Sequence, residues 1–172
     1  EIVHMLYTAK DIFLSTLQVA GGNVDQCSRI VQSRDYVDYL HTQIISTIVS
    51  LSDREISVEY AGRLAILARV ADLVSVMVKQ MVSMAKKFET MKEKKIELSP
   101  ESFAGIQEMA VPCTENLVHL LTTFPEMPEE IDRKMRANDE RLRLILNWNY
   151  KLYLIRLAAK SSYSAMFSEI IF

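Results

Sequence analysis

The sequence predicts an all-α fold of six helices, arranged as a tandem pair of antiparallel three-helix bundles. Three observations predict it. Apolar residues recur in steps of three and four along most of the chain, the spacing of one helix face. Of 172 residues 49% are hydrophobic while only 4 are Gly and 4 are Pro, too little turn chemistry for a β-rich fold. The breaks between periodic segments carry helix-capping residues rather than hairpin signals.

The first helix is expected over 2–20, where Ile2, Met5, Leu6, Ile12 or Phe13, Leu17 and Ala20 share a face and Gly21-Gly22 ends it. The second is expected over 23–51, with Asn23 and Gln26 as a capping box in which each side chain satisfies a free backbone donor. Its apolar side runs through Ile30, Val37, Leu40, Ile44 and Ile48, and Ser52-Asp53-Arg54-Glu55 reads as the next turn. The third, over 57–95, has Ser57 as cap and Glu59 in its positive first turn. One stripe on it, Leu64, Leu67, Ala71, Val74, Val78, Met81, Ala85 and Phe88, is unbroken. A second stripe, Ile66, Val70, Leu73, Met77 and Met84, lies beside it, and the wide face they make together predicts packing against several neighbours. The polar last turns, Lys86-Lys87 and Lys92 to Lys95, are expected to project beyond the core.

Ser99-Pro100-Glu101 restarts the chain with a cap, a proline at the first helical position and an acid in the first turn, giving a fourth helix over 99–124. Pro112 lacks a backbone donor and clashes with the preceding turn, so a kink near Glu108 to Val111 is expected. Pro128-Glu129-Glu130 starts a fifth helix over 128–146, with Leu142, Ile145 and Leu146 on its apolar side. Asn147-Trp148-Asn149 reads as a short turn before a sixth helix over 150–172. The order of elements repeats, so the chain reads as one domain, 1–172, made of repeat one, 1–95, and repeat two, 99–172.

A formal charge of −2 offers no overall positive field, which argues against nucleic acid as a partner. Cys27 and Cys113 stand far apart and form no CxxC or Cys/His cluster, which reads as two reduced thiols in a cytosolic-type environment. No apolar run approaches the ~18 residues of a membrane span. The opening Glu1-Ile2-Val3-His4 is neither a basic leader nor an initiator Met, so the chain is expected to carry no signal peptide and to begin inside a longer protein.

Candidate sites are few. Glu1 and His4 have the spacing that places a carboxylate and an imidazole on one helix face, as in di-iron bundles, but such sites need two motifs of that kind and two further glutamates. Glu115 and His119 are four residues apart and nothing around them completes a cluster. His41 reads as a satisfied polar residue. The methionines Met77, Met81, Met84 and Met91 fit core filling better than an adaptable groove, and the run Lys86 to Lys95, interleaved with Glu89 and Glu93, fits a solvated helix end better than a lipid contact. No nucleotide, hydrolase or zincin motif occurs. No catalytic residue, cofactor or metal ligand is expected.

The segment 51–73, LSDREISVEYAGRLAILARVADL, resembles PhoU-like domains, especially the cytoplasmic tail of bacterial sodium/phosphate cotransporters. In that family a loop of the form LSxxExSxEEAxRL leads into a helix reading ndLERIGDHAxxI, and the restart at Glu97 to Glu101 is also similar. The resemblance implies two repeats of three helices and a regulatory role at the cytoplasmic side of the inner membrane, as a soluble domain of a larger protein. The implied partner is the transporter membrane domain or another protein, with homo-oligomer formation open. The family's metal-binding carboxylates align with Val74 and Val78 in the first repeat and with Ala159 and Tyr163 in the second, so the resemblance implies the fold while these residues remove the metal chemistry. Asp72, Asp35 and Asp38 lie near the expected acidic positions but do not rebuild a multi-carboxylate site. The expected function is therefore a non-catalytic regulatory domain of a sodium-coupled phosphate transporter. A stand-alone helical adaptor of the same architecture is the alternative.

Overall fold

The computed structural model describes residues 1–53 and 56–158, and every regular element among them is an α-helix. They are α1 (Ile2–Ala20), α2 (Gln26–Ser52), α3 (Val58–Glu93), α4 (Pro100–Thr123) and α5 (Glu129–Ala158). The chain divides into two compact units, Glu1–Glu89 and the part from Thr90 onward. Among the described residues no helix is long and apolar enough to cross a membrane.

In the first unit, α1 buries Ile2, Met5, Leu6, Ala9, Ile12, Thr16 and Val19, a single face at helical spacing. Thr16 tolerates burial because its hydroxyl donates to the Ile12 carbonyl one turn earlier, at 2.8 Å. Gly21-Gly22 ends the helix as expected, through a pair of closing hydrogen bonds. The Gly22 N–H reaches the Val19 carbonyl and the Asn23 N–H reaches back to Gln18, with Gly22 at φ 98°. This motif uses Asn23 to finish α1, which corrects the expected capping box: α2 starts later, at Gln26, after an Asp25 N-cap that makes no side-chain cap bond. The turn after α2 begins at Asp53, while Arg54 and Glu55 lie outside the described residues.

The α2–α3 pairing is antiparallel. Cys27 meets the Ala85 carbonyl, Asp38 meets Ser75 and His41 meets Asp72, so later residues of α2 face earlier residues of α3. Ser57 accepts the Tyr60 N–H at 3.2 Å and caps α3. Its first stripe is the core seam: Leu64, Ala71, Val74, Val78, Met81, Ala85 and Phe88 are all buried. The second stripe departs from expectation, with Ile66 65% and Leu73 59% exposed. Periodicity shows that a helix face is apolar but not that a neighbour covers it. The expected projection of the last turns is also corrected, since Phe88 and Met91 are buried between the exposed lysines. At the end, the Ile96 N–H reaches the Met91 carbonyl and Lys95 takes φ 56°, closing α3 as Gly22 closes α1.

In the second unit, Ser99 caps α4 by accepting the Ser102 N–H, with Pro100 in the first turn. The helix continues through buried Pro112 to Thr123 without a break. Glu129, Glu130 and Asp132 complement the positive start of α5. The expected turn at Asn147-Trp148-Asn149 is not there: α5 runs unbroken from Glu129 to Ala158. Asn149 instead faces α4, 8% exposed, against Gly105. A helix-disfavouring residue is thus held helical by its tertiary position. Residues 150–158 of the expected sixth helix belong to α5, so six separate helices are not seen, and the remainder lies outside the described residues. Asn116 Nδ2 donates to Asp139 and its Oδ1 accepts from Asn138, which together with the Gly105–Asn149 approach makes α4 and α5 antiparallel.

Candidate functional site

The densest polar grouping in the first unit is the seam where α2 meets α3. Asp38, one turn below Arg34 on α2, is its centre. It accepts a hydrogen bond from buried Ser75 at 3.4 Å and sits 3.7 Å from Lys79 Nζ and 4.0 Å from Arg34 Nε. One turn further along, His41 Nε2 and Asp72 Oδ1 are 2.6 Å apart. All the cross-helix partners lie on the same edge of α3, because Asp72, Ser75 and Lys79 are spaced three and four apart.

A carboxylate holding an imidazole is half of an acid–base device, and the other half is a nucleophile or a polarised water within reach of the imidazole. Ser75 gives its proton to Asp38, and among the described residues no hydroxyl or thiol is hydrogen-bonded to His41. Asp38 meets Lys79 and His41 meets Asp72 across the seam, while Arg34 pairs with Asp35 and Asp38 on its own helix. The cross-helix contacts therefore fix the register of α2 on α3.

The remaining candidates are dispersed. Glu1 is the N-cap residue of α1, and exposed His4 gives its carbonyl to Thr8. Glu115 and His119 lie on α4, and among the described residues they join no group of three or more His, Cys, Asp or Glu side chains that could hold a metal. Met81 and Met91 are buried and Met77 and Met84 half-buried, which makes them core and core margin rather than an open groove. Cys27 is buried, and its thiol is pushed up to about 11 by burial first and by the Glu89 carboxylate second, so it is no nucleophile at neutral pH. Cys113 is raised in the same direction by burial and then by Asp139.

The metal site that the PhoU-like resemblance implies can be tested against its residues. Val74 is 5% and Val78 0% exposed, so the two positions that would carry carboxylates are packed into the core of the first unit. Asp38 and Asp72 are on the neighbouring edge of the seam, each engaged by a side chain of the other helix. Among the described residues no three His, Cys, Asp or Glu side chains converge as a metal would require. Ala159 and Tyr163 lie outside the described residues, and neither is a metal-binding carboxylate. The residues do not fit the cluster.

Sequence reasoning missed two features. One is a shallow cleft of about 330 Å³ between α1 and α2, walled by Thr8, Asp11 and Ser15 on one side and Arg29, Ser33 and Tyr36 on the other. The other is the set of large apolar side chains in contact with solvent: Ile66, Leu73 and Val76 on α3, and Leu144, Trp148 and Ile155 on α5. Helical spacing marks both sets in the sequence, but exposure is a property of the fold. Comparison with protein-family models, with characterised proteins and with solved structures finds no match to this chain.

Proposed function

We propose that the chain is a non-catalytic regulatory module of the PhoU-like kind, acting through protein contacts on a sodium-coupled phosphate transporter at the cytoplasmic side of the membrane. The observation that carries the contact-based part is the outer face of α3. Ile66, Leu73 and Val76 are 65%, 59% and 55% exposed on a helix whose opposite side holds the core, and exposed apolar side chains grouped on a rigid element are what a partner helix covers. The link to phosphate transport rests on the likeness of segment 51–73 to PhoU-like tails.

The test is sodium-dependent phosphate uptake by the transporter that carries this domain, compared between the native domain and Ile66→Glu/Leu73→Glu. The expected result is intact transport with altered response to phosphate supply and an unchanged melting temperature of the isolated domain. Identical regulation in both forms would remove the assigned role of the α3 face. An effect of the domain on a process other than phosphate uptake would favour the adaptor reading.

A further inference from the structure

The outer face of α5 reads Arg141, Leu144, Trp148, Lys151, Ile155, in steps of three, four, three and four, so these five side chains form one stripe along the helix. Leu144, Trp148 and Ile155 are 59%, 60% and 65% exposed, and Arg141 at the start of the stripe and Lys151 within it are exposed too. The packed side of the helix, marked by Ile145 and Asn149, faces elsewhere. From Arg141 to Ala158 the sequence has four cations, Arg141, Arg143, Lys151 and Arg156, and no carboxylate. Acids occur just before this stretch, where Glu140 is held by Arg143 at 2.7 Å and Asp139 is engaged by Asn116.

The geometry points to this stripe as a docking surface for an anionic lipid bilayer, a function beyond the regulatory contact assigned above. The argument is charge complementarity joined to side-chain type. A helix lying in the headgroup zone needs cations to meet lipid phosphates and large apolar or amphipathic side chains to enter the acyl boundary, and alternation of the two along one stripe gives both together. Trp is suited to that boundary because its ring is apolar and its indole N–H is polar. An acidic protein helix would have to place carboxylates opposite both Arg141 and Lys151, about 15 Å apart along the axis. A bilayer offers phosphates at every spacing and makes no such demand.

Trp148 is the single tryptophan in the chain, so its fluorescence reports on the stripe alone. The 172-residue chain is mixed with vesicles of phosphatidylcholine, or of phosphatidylcholine with phosphatidylserine, at low and high salt, and with brominated acyl chains as depth quenchers. The expected result is a blue shift and bromine quenching with the phosphatidylserine vesicles only, weakened by salt. Arg141→Gln and Lys151→Gln should each lower the partition coefficient by about fivefold while circular dichroism and melting temperature stay as in the parent. Trp148 emission unchanged by phosphatidylserine vesicles would overturn the inference. So would a blue shift without vesicles that grows with protein concentration, which would give the stripe to a second copy of the chain.

Discussion

Among the described residues, two hold the left-handed backbone conformation that closes a helix, and they differ in what that costs. Gly22 takes φ 98° without a Cβ to clash, whereas Lys95 takes φ 56° with one. Gly22→Ala should therefore destabilise the protein by roughly 1–2 kcal/mol and Lys95→Gly should stabilise it by roughly 0.5–1 kcal/mol, both read from urea melts. If both substitutions left the midpoint unchanged, the closing bonds of α1 and α3 would carry no stability. Burial makes a second residue-scale prediction, at Cys27. The unfolded thiol ionises near 9.0 and the folded one near 11, because the thiolate would sit in the core beside Glu89. A raised folded value means that the stabilising contribution is complete below pH 9 and is lost as pH climbs toward 11. In a Cys113→Ala background, thiolate absorbance should stay absent at pH 9.5 and appear only near pH 11 or with alkaline unfolding. A transition near pH 9 would contradict the burial.

At the scale of the elements, α5 and α3 show where a helix pattern is decided. Gly105 on α4 makes room for Asn149 on α5: a Cβ at Gly105 would come 3.0 Å from Asn149 Oδ1. Asn149 Nδ2 is buried without a hydrogen-bond partner, so removing the side chain also removes an unsatisfied buried donor. Asn149→Ala should be close to neutral. Gly105→Ala alone should destabilise, but in the Asn149→Ala background it should stabilise by up to about 1 kcal/mol through helix propensity. A double-mutant cycle measures the difference, and additivity within about 0.5 kcal/mol would show that the two positions do not touch. The two faces of α3 give a parallel contrast. Val78→Asp should cost several kcal/mol because it buries an unpaired carboxylate, while Leu73→Asp, on the exposed stripe, should stay within about 0.5 kcal/mol. Equal melting temperatures for the two variants would show that the seam is misassigned. These elements also mark what the sequence could reveal. Ser99-Pro100 and Gly21-Gly22 were legible because capping is local chemistry, satisfied within a few residues. Asn147 to Asn149 and the second α3 stripe were not, because one is settled by a glycine on α4 and the other by which neighbour happens to cover it. The seam of Asp38, His41, Asp72 and Ser75 was likewise hidden, since its partners lie more than thirty residues apart.

For the molecule as a whole, the distribution of charge and burial determines what kind of signal it can carry. In the first unit α2 and α3 pair antiparallel, and Asp38 and Asp72 are each tied to the facing helix rather than gathered at one point. A transition-metal site in a helix bundle needs about four protein ligands from facing helices, with oxygens converging on one centre. Val78 is fully buried and Val74 nearly so, and their methyl groups occupy the space where a carboxylate pair one helical turn apart would have to meet the metal. Carboxylates at Val74 and Val78 without a metal would bury two charges, so the packed core and a carboxylate cluster exclude each other on this stripe. The PhoU-like resemblance sets Ala159 and Tyr163 at the other pair of motif positions, and neither side chain offers a carboxylate. Elemental analysis of the purified protein should therefore find no iron, zinc or manganese near one per chain, and the melting temperature should be the same with and without EDTA. Metal at full occupancy, or a chelator-dependent fall in melting temperature, would overturn both the placement of Val74 and Val78 in the core and the alignment that sets them at the motif positions.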